Sequence, residues 1–150
     1  MFGNKPKVHE VKLIRDYAFM YENFVIATQS AVYLMLEKSG NSFFALRFDS
    51  PNCRYGGPND EAHGGHPLAR FGLGIYGLYE VENSPWISEQ RIANKVHPSH
   101  SDALFDSKKH YIACFKDVKL ESVCRQMSEV VLKQEDIDAL VRGQLDALEA

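Results

Sequence analysis

Short runs of large apolar residues, each bounded by polar or turn-forming residues, follow one another along the first third of the chain. Three of them have strand length and are rich in β-branched and aromatic residues, at about 23–28, 31–38 and 43–49. The dipeptide Gly40-Asn41 separates the last two, as the turn of a β-hairpin would. The pattern therefore predicts three successive strands. A helix over 24–38 is the alternative, because several of its polar residues fall near one helical face and Gly40 could end it.

Alternation of apolar and polar residues predicts further strands. The segment 75–82 alternates large apolar residues, and 110–117 and 119–126 are short, alternating and rich in β-forming residues. Near the N-terminus, the polar residues 1–9 predict a loose lead-in, which a first strand over about 10–17 would follow.

Two segments have the signals of helices. Ser84 can cap a helix whose first residue is Pro85, and this helix should run to about residue 95 and end before His97, which precedes a proline. A second helix is predicted over 135–148 from apolar residues at a spacing of 3.6: Ile137, Leu140, Val141, Leu145 and Leu148.

Strands thus outnumber helices, and most strands are joined by connections too short for parallel crossovers. The sequence predicts a single α+β domain over residues 1–150, with a mainly antiparallel curved sheet or partly closed barrel and two packed helices. We expect Trp86, at the start of the first helix, to pack between helix and sheet.

Composition narrows the classes of partner. The chain of 150 residues is 45% hydrophobic and 25% charged, with a net charge of -3, so it has no overall basic field for nucleic acid. No apolar run approaches the ~18 residues of a membrane span, and the first residues do not resemble a signal peptide. Three cysteines at unpatterned spacing favour reduced thiols, and we expect a cytoplasmic protein.

Candidate chemistry is concentrated in the stretch 49–74, which holds six of the ten glycines and three of the six prolines. We expect a long ordered loop here, facing a second polar loop at 97–107. Each loop carries an H-x2-H pair, and the four histidines are candidate ligands for zinc or another divalent metal: His63, His66, His97 and His100. Asp60 and Glu61 could coordinate the metal or orient the imidazoles. The structural alternative is that the histidines hydrogen-bond loop carbonyls.

The same stretch suggests an anion site. The pairs Gly56-Gly57 and Gly64-Gly65 permit positive φ, and such turns can direct several N–H groups at one anion. Arg54 and Arg70 flank the pairs and could bind phosphate or carboxylate. The glycine spacing matches neither a P-loop nor a dinucleotide-binding fingerprint, so the alternative is that a long loop needs glycines to turn.

Cys53 is a candidate nucleophile, because a nearby His63 or His66 could lower its pKa and Asp60 could orient the imidazole. The alternative is that Cys53 is a small packing residue, as we expect for Cys114 and Cys124 within predicted strands.

Four segments, RYGGPNDEAHGGHPL, GIYGLYEVENSPWI, KVHPSH and KHYIACFKDVKLESVC, occur in this order within about 45–125. In them the chain resembles a family of small uncharacterised bacterial proteins. The resemblance implies a bacterial cytoplasm and suggests that the PNDEA…GHPL and HPSH segments belong together. It carries over no activity, cofactor or functional residue.

The sequence thus predicts a domain that binds a small polar or anionic ligand, with or without a metal ion, in a pocket between loops 49–74 and 97–107. Its candidate ligand-binding residues are Arg54, Asp60, Glu61, His63, His66, Arg70, His97 and His100. An enzyme of this kind would be a hydrolase or group transferase. The alternative is a non-enzymatic interaction or accessory module, such as an immunity-like protein. The C-terminal helix or a sheet edge could then form a homodimer contact.

Overall fold

The strands of the protein form two antiparallel sheets. The structure is a computed structural model that describes residues 4–149. The strands are β1 (Lys7–Glu10), β2 (Phe24–Ala27), β3 (Val32–Ser39), β4 (Ser42–Phe48), β5 (Cys53–Gly56), β6 (Gly77–Glu82), β7 (Lys109–Cys114), β8 (Lys119–Cys124) and β9 (Met127–Lys133). The helices are α1 (Pro85–Ala93) and α2 (Gln134–Ala147). The predicted α+β class, with antiparallel strands and two helices, is confirmed.

The two sheets are open and pack face to face. The first has the strand order β1-β6-β7-β8-β5 and the second has the order β2-β3-β4-β9. Their inner faces share one apolar core, to which the second sheet contributes Val32, Leu34, Leu46 and Phe48 and the first contributes Leu78, Tyr111, Ala113 and Leu120. Large apolar residues at every second position therefore decide which face of each strand lies inside.

The β3–β4 hairpin resolves the ambiguity over 24–38 in favour of strands. Gly40 has a φ of 58°, a left-handed conformation that glycine adopts without strain, and the turn aligns Ser39 with Ser42. The predictions of strands at 23–28, 31–38, 43–49, 75–82, 110–117 and 119–126 are confirmed, with ends displaced by a few residues.

The N-terminal prediction is wrong in position. β1 consists of residues 7–9, which the sequence assigns to the loose lead-in, and Glu10, and it pairs with β6. The rest of the predicted strand, 11–17, is irregular. Residues 1–3 of the lead-in lie outside the described range. The backbone N–H groups of Ile14 and Arg15 donate to the carboxylate of Glu129, at 2.7 and 3.3 Å. The carboxylate of Glu129 thus accepts the backbone hydrogen bonds that a partner strand would otherwise accept. The composition of residues 11–17 could not indicate this distant partner.

Two strands go beyond the sequence prediction. β5 lies inside the stretch expected to be a loop, and β9 follows β8 as an edge strand against β4. Pairing with a neighbouring strand defines both of them. β5 is only four residues long and is flanked by glycines and prolines, so it has little strand pattern of its own. The stretch 49–74 is therefore a short strand followed by two single-turn 3₁₀ helices, at Asp60–Gly65 and Ala69–Phe71.

Both helices begin close to where the sequence places them. Ser84 caps α1 by accepting a hydrogen bond from the N–H of Ile87 at 3.2 Å, and Pro85 is the first helical residue. α2 follows β9 directly, and Asp136 accepts a hydrogen bond from the N–H of Lys133 at 2.8 Å. No residue of α2 within the described chain is buried.

The outer face of the five-stranded sheet is covered by the 3₁₀ segment. Leu68 and Leu73 pack there against apolar side chains of β1, β6 and β7, namely Val8, Tyr79, Val81, Ile112 and Cys114. This second small core holds residues 66–73 against the sheet, next to the polar groups described below. Across residues 4–149, no helix has the length and apolar character that crossing a membrane requires.

Candidate functional site

Three neighbouring strands bring polar side chains to the outer face of the five-stranded sheet. Arg54 on β5 lies opposite Glu121 on β8. His110 on β7 is the diagonal neighbour of Glu121, because Ile112 is its direct partner. Since side chains alternate between faces along a strand, all three point away from the main core.

Glu121 is the centre of this polar group. His110 Nε2 lies 2.7 Å from its Oε1, His66 Nε2 lies 2.9 Å from its Oε2, and Arg54 Nη2 lies 3.3 Å from Oε1. Glu121 is 8% exposed, and the two histidines are also buried. A buried carboxylate is stable only when such donors replace its water shell, and here all three donors come from different parts of the chain.

The tautomer of His66 follows from its hydrogen bonds. The backbone N–H of Leu68 donates to Nδ1 at 3.0 Å, so Nδ1 carries a lone pair and the proton is on Nε2, which donates to Glu121. His110 is arranged in the same sense: the Ser84 hydroxyl accepts from Ile87 and can donate to His110 Nδ1, 2.7 Å away. Both imidazoles therefore direct an Nε2–H group at one carboxylate.

The electrostatics of Glu121 follow from these contacts. Burial by itself would raise the pKa of Glu121. The hydrogen bonds from His110 and His66, and the electrostatic attraction of His110 and Arg54, outweigh burial and hold this pKa well below its usual range. Glu121 is thus a carboxylate with three of its about four lone-pair positions occupied by protein donors. That arrangement and the lowered pKa suit an anchoring residue better than a general base, whose pKa lies near the working pH.

Arg54 and Trp86 cover this polar group from the solvent side. The guanidinium carbon of Arg54 lies 3.8 Å from the centroid of the Trp86 ring, and the Trp86 ring meets His110 edge to face with centroids 5.3 Å apart. Trp86 therefore packs between α1 and the sheet, as predicted, and also orients the arginine above Glu121.

A pocket of about 430 Å³ opens beside these residues. Its walls are the chain from Arg54 to Pro58, the segment from His66 to Leu68, the start of α1 and the outer face of β7 and β8. Gly56 lies opposite Lys119 in the β5–β8 pairing, and no atom lies within 4 Å of the position that a Cβ at Gly56 would take. The pocket thus extends over a strand position that has no side chain.

Lys119 is a buried cation of the pocket without an acidic partner among the described residues. The residue is 2% exposed, and its ammonium donates to the carbonyl oxygen of Pro58 at 2.8 Å. In the described chain, no carboxylate oxygen lies within 4.0 Å of this ammonium. An ammonium has three donors, so Lys119 can make further hydrogen bonds towards the pocket.

The structure brings Arg54 and His66 together but disperses the other predicted residues of the stretch 49–74. His63 Nε2 donates to the carbonyl of Leu73 at 2.7 Å, as the structural alternative expected. Asp60 accepts a hydrogen bond from the Tyr76 hydroxyl, and Arg70 lies over the ring of Phe71. Glu61 is exposed. None of these four residues lines the pocket.

The histidines of the second loop are also apart from the first pair. His97 Nδ1 accepts from the N–H of Ser99 at 3.0 Å, and His100 bonds to Asn94 and Asp102 at 2.9 and 2.7 Å. Loop 97–107 contributes nothing to the lining of the pocket, whose second wall is α1 together with β7 and β8. The convergence that the metal hypothesis requires is therefore not found.

Metal coordination finds no other support between residues 4 and 149, where no group of three or more His, Cys, Asp or Glu side chains is arranged to hold an ion. His66, His110 and Glu121 have the right donor types, but the rings bond to the carboxylate itself. Since Nδ1 of His66 accepts from Leu68, its Nε2 carries a proton and offers no lone pair to a metal.

Two further hypotheses are corrected by the backbone and by burial. Gly56, Gly57, Gly64 and Gly65 lack the positive φ on which the predicted anion-binding turn depends. Cys53 packs against the main core, on the face of β5 opposite to Arg54, and burial raises the pKa of its thiol. It is therefore a packing residue and not an activated nucleophile.

Four residues of the site were not among the sequence-based candidates: Trp86, His110, Lys119 and Glu121. The signal for three of them lies in the strands HYIACF and KLESVC, where His110, Lys119 and Glu121 occur among apolar residues. If one face of the sheet met water, these would be ordinary surface residues. Only the cover formed by residues 66–73 and α1 makes them buried.

Comparison of the chain with models of protein families, with curated proteins and with solved structures finds no match.

Proposed function

We propose that the protein binds a small organic anion in the pocket beside Lys119. The observation that carries the proposal is the buried Lys119 ammonium, which lines the pocket and has the Pro58 carbonyl but no carboxylate as a neighbour within residues 4–149. Buried charges are normally paired, because removal of an ion from water costs several kcal/mol. An anionic ligand would supply the missing countercharge.

Most of the other walls suit a ligand of this class, and Glu89 and the hydrogen-bonded Glu121 are the acidic residues of the lining. Arg54 uses one terminal nitrogen for Glu121, which leaves further N–H donors for a carboxylate or phosphate. Trp86 and Pro85 provide apolar surface for the ligand's uncharged part. A volume of about 430 Å³ lies within the range of small-molecule pockets.

Binding is better supported than catalysis because the candidate reactive groups have other roles. Glu121 accepts hydrogen bonds from three donors, and Ser84 caps α1 while it contacts His110. Ser84 is buried and lines a separate groove, not this pocket. Because its hydroxyl is engaged with Ile87 and His110, we assign the Ser84–His110–Glu121 chain a positioning role.

All three cysteines are free, which supports the reducing cytoplasm expected from the sequence.

The test uses Trp86 as a reporter, since the chain contains one tryptophan and it lines the pocket. Inorganic phosphate, phenyl phosphate, benzoate and citrate are titrated at constant ionic strength, with phenol as the uncharged comparison. We expect saturable changes in Trp86 emission for at least one anion and none for phenol. The same anion should stabilise the protein, by about 2.7 kcal/mol at a hundred times its dissociation constant.

Two variants locate the binding. Lys119→Met keeps the length of the side chain and removes the charge, and we expect the dissociation constant to rise about tenfold or more. Lys109→Met is the matched control, because Lys109 is exposed on β7 and lies outside this pocket. Anion binding that is unchanged in Lys119→Met would overturn the proposal and leave Lys119 as an anchor for Pro58.

A third variant tests the pocket without removing a charge. Gly56→Val should fill the space over the strand and abolish anion binding while the protein stays folded. The backbone of Gly56 has no positive φ, and no atom lies within 4 Å of the position that a Cβ would take. Gly64→Val is the control, because Gly64 is equally open and does not line the pocket. If no anion of the panel binds the wild-type protein, the proposal fails.

A further inference from the structure

The second sheet and the C-terminal helix each expose part of an apolar face. α2 carries its apolar residues on one face, and two of them, Val141 at 43% and Leu145 at 62%, are strongly exposed. Leu148, which directly follows the helix, is 74% exposed. In the described chain, α2 packs substantially only with β9, the strand that it follows. A helix of this kind gains most of its stability from covering its apolar face.

The outer face of the second sheet is also apolar. The pairing of β2, β3, β4 and β9 places the following side chains on it: Phe24, Ile26, Tyr33, Met35, Phe43, Ala45, Val130 and Leu132. Phe24 is 52% exposed, five of the others are half-buried, and Met35 and Ala45 are buried. Within residues 4–149, neither helix makes extensive contacts with β2, β3 or β4, although the equivalent face of the first sheet is covered.

Charge distinguishes the two faces. The sheet face carries two cations, Lys38 beside Phe43 and Arg47 beside Tyr33, and the strand register places no acidic side chain on it. α2 carries four acids, Glu135, Asp136, Asp138 and Asp146, against one base, Arg142. At about 100° per residue, Asp136 and Asp138 flank the apolar face of the helix, whereas Glu135 and Asp146 lie on the opposite side. The apolar face of the helix is therefore bordered by acids, and the apolar face of the sheet carries bases.

From this complementarity we propose that two copies of the chain form a symmetric dimer, in which α2 of each copy packs across the outer face of β2, β3, β4 and β9 of the other. One chain contains both halves of the contact, so the same contact occurs twice in a closed two-fold dimer. Apolar burial would drive association, and the opposite charges would orient the helix. A membrane surface fits less well, because anionic lipids repel an acidic helix.

Sedimentation velocity from low micromolar to several hundred micromolar protein tests the dimer. We expect a monomer–dimer equilibrium for the wild-type protein. Val141→Glu and Leu145→Glu should raise the dimer dissociation constant by at least about tenfold each. Both positions are exposed on α2, so folding should be unaffected. Val96→Glu is the control, because Val96 is 91% exposed and lies outside α2 and the second sheet. This substitution should leave the equilibrium unchanged.

Charge reversal identifies the surface that α2 contacts. Arg47→Glu and Lys38→Glu should weaken the dimer by about tenfold, whereas Lys116→Glu on the β7–β8 turn should not. A dimer that is lost in Val141→Glu but unaffected by Arg47→Glu would overturn docking on the sheet in favour of helix–helix pairing. A wild-type protein that stays monomeric at every concentration would overturn the dimer. The same conclusion holds if this monomer binds vesicles of anionic phospholipid, because the apolar faces would then serve a membrane.

Discussion

His66 donates a hydrogen bond from Nε2 to Glu121 Oε2 at 2.9 Å, across 55 residues of sequence. The contact ties the 3₁₀ segment to the outer face of the sheet. The N–H of Leu68 fixes the ring from the other side. One side chain thus connects the irregular segment, the buried carboxylate and the pocket wall.

Glu121→Gln should lower the free energy of unfolding by about 3 kcal/mol, the scale found when one partner of a buried ion pair is removed. The amide offers one acceptor and brings two N–H donors against His66 or His110, which already donate. Urea denaturation at pH 7 measures the effect. Glu61→Gln, at an exposed position, should change stability by less than about 0.5 kcal/mol. Equal effects of the two substitutions would contradict the central role of Glu121.

The stability of the protein should fall in acid through Glu121. Its folded-state pKa lies below its unfolded value, so the unfolded chain binds the proton first. The contribution is therefore fully present above the unfolded pKa of about 4.3 and is lost as pH falls from there through the folded pKa. Urea denaturation at a series of pH values should show the difference between wild type and Glu121→Gln constant near neutrality and shrinking in acid. A constant difference down to the lowest pH would contradict the depressed pKa.

Ser84→Ala should destabilise the protein by about 2 kcal/mol, because it removes the cap of α1 and the hydroxyl that contacts His110. Ser101→Ala is the control. Ser101 caps an exposed 3₁₀ turn and contacts no histidine, so we expect a loss of about 0.5 kcal/mol. Thermal and urea denaturation of both variants compare the two caps, and similar losses would show that the His110 contact contributes little.

The native protein should have at most one thiol that reacts with Ellman's reagent at pH 8, and three after denaturation. Burial raises the pKa of the Cys114 thiol to about 12 and that of Cys124 to about 11, so neither forms the reactive thiolate. Cys53 is half-buried with a raised pKa and should react slowly. Cys53→Ser should abolish the native reaction. Rapid labelling of two or three thiols in the folded state would contradict the packing of β7 and β8.

Local pattern determined much of the fold. The Gly40 turn, the Ser84 cap and the alternation in 75–82 and 119–126 are properties of neighbouring residues, and each element forms where the sequence places it. The sequence misplaces β1 and does not indicate β5 or β9, because these strands are defined by their partner strands and not by a local pattern. The irregular path of residues 11–17 likewise depends on Glu129, more than a hundred residues away.

The candidate site divides in the same way. The sequence predicts a ligand-binding site in residues 49–74, and Arg54 and His66 of that stretch line the pocket. The sequence could not show that His97 and His100 bond to residues close to them in the chain, between 94 and 102, since residue type gives no direction to a side chain. Nor could it show that His110, Lys119 and Glu121 are buried. That depends on which cover packs on the outer face of the sheet, and only long-range packing of residues 66–73 and Trp86 decides it.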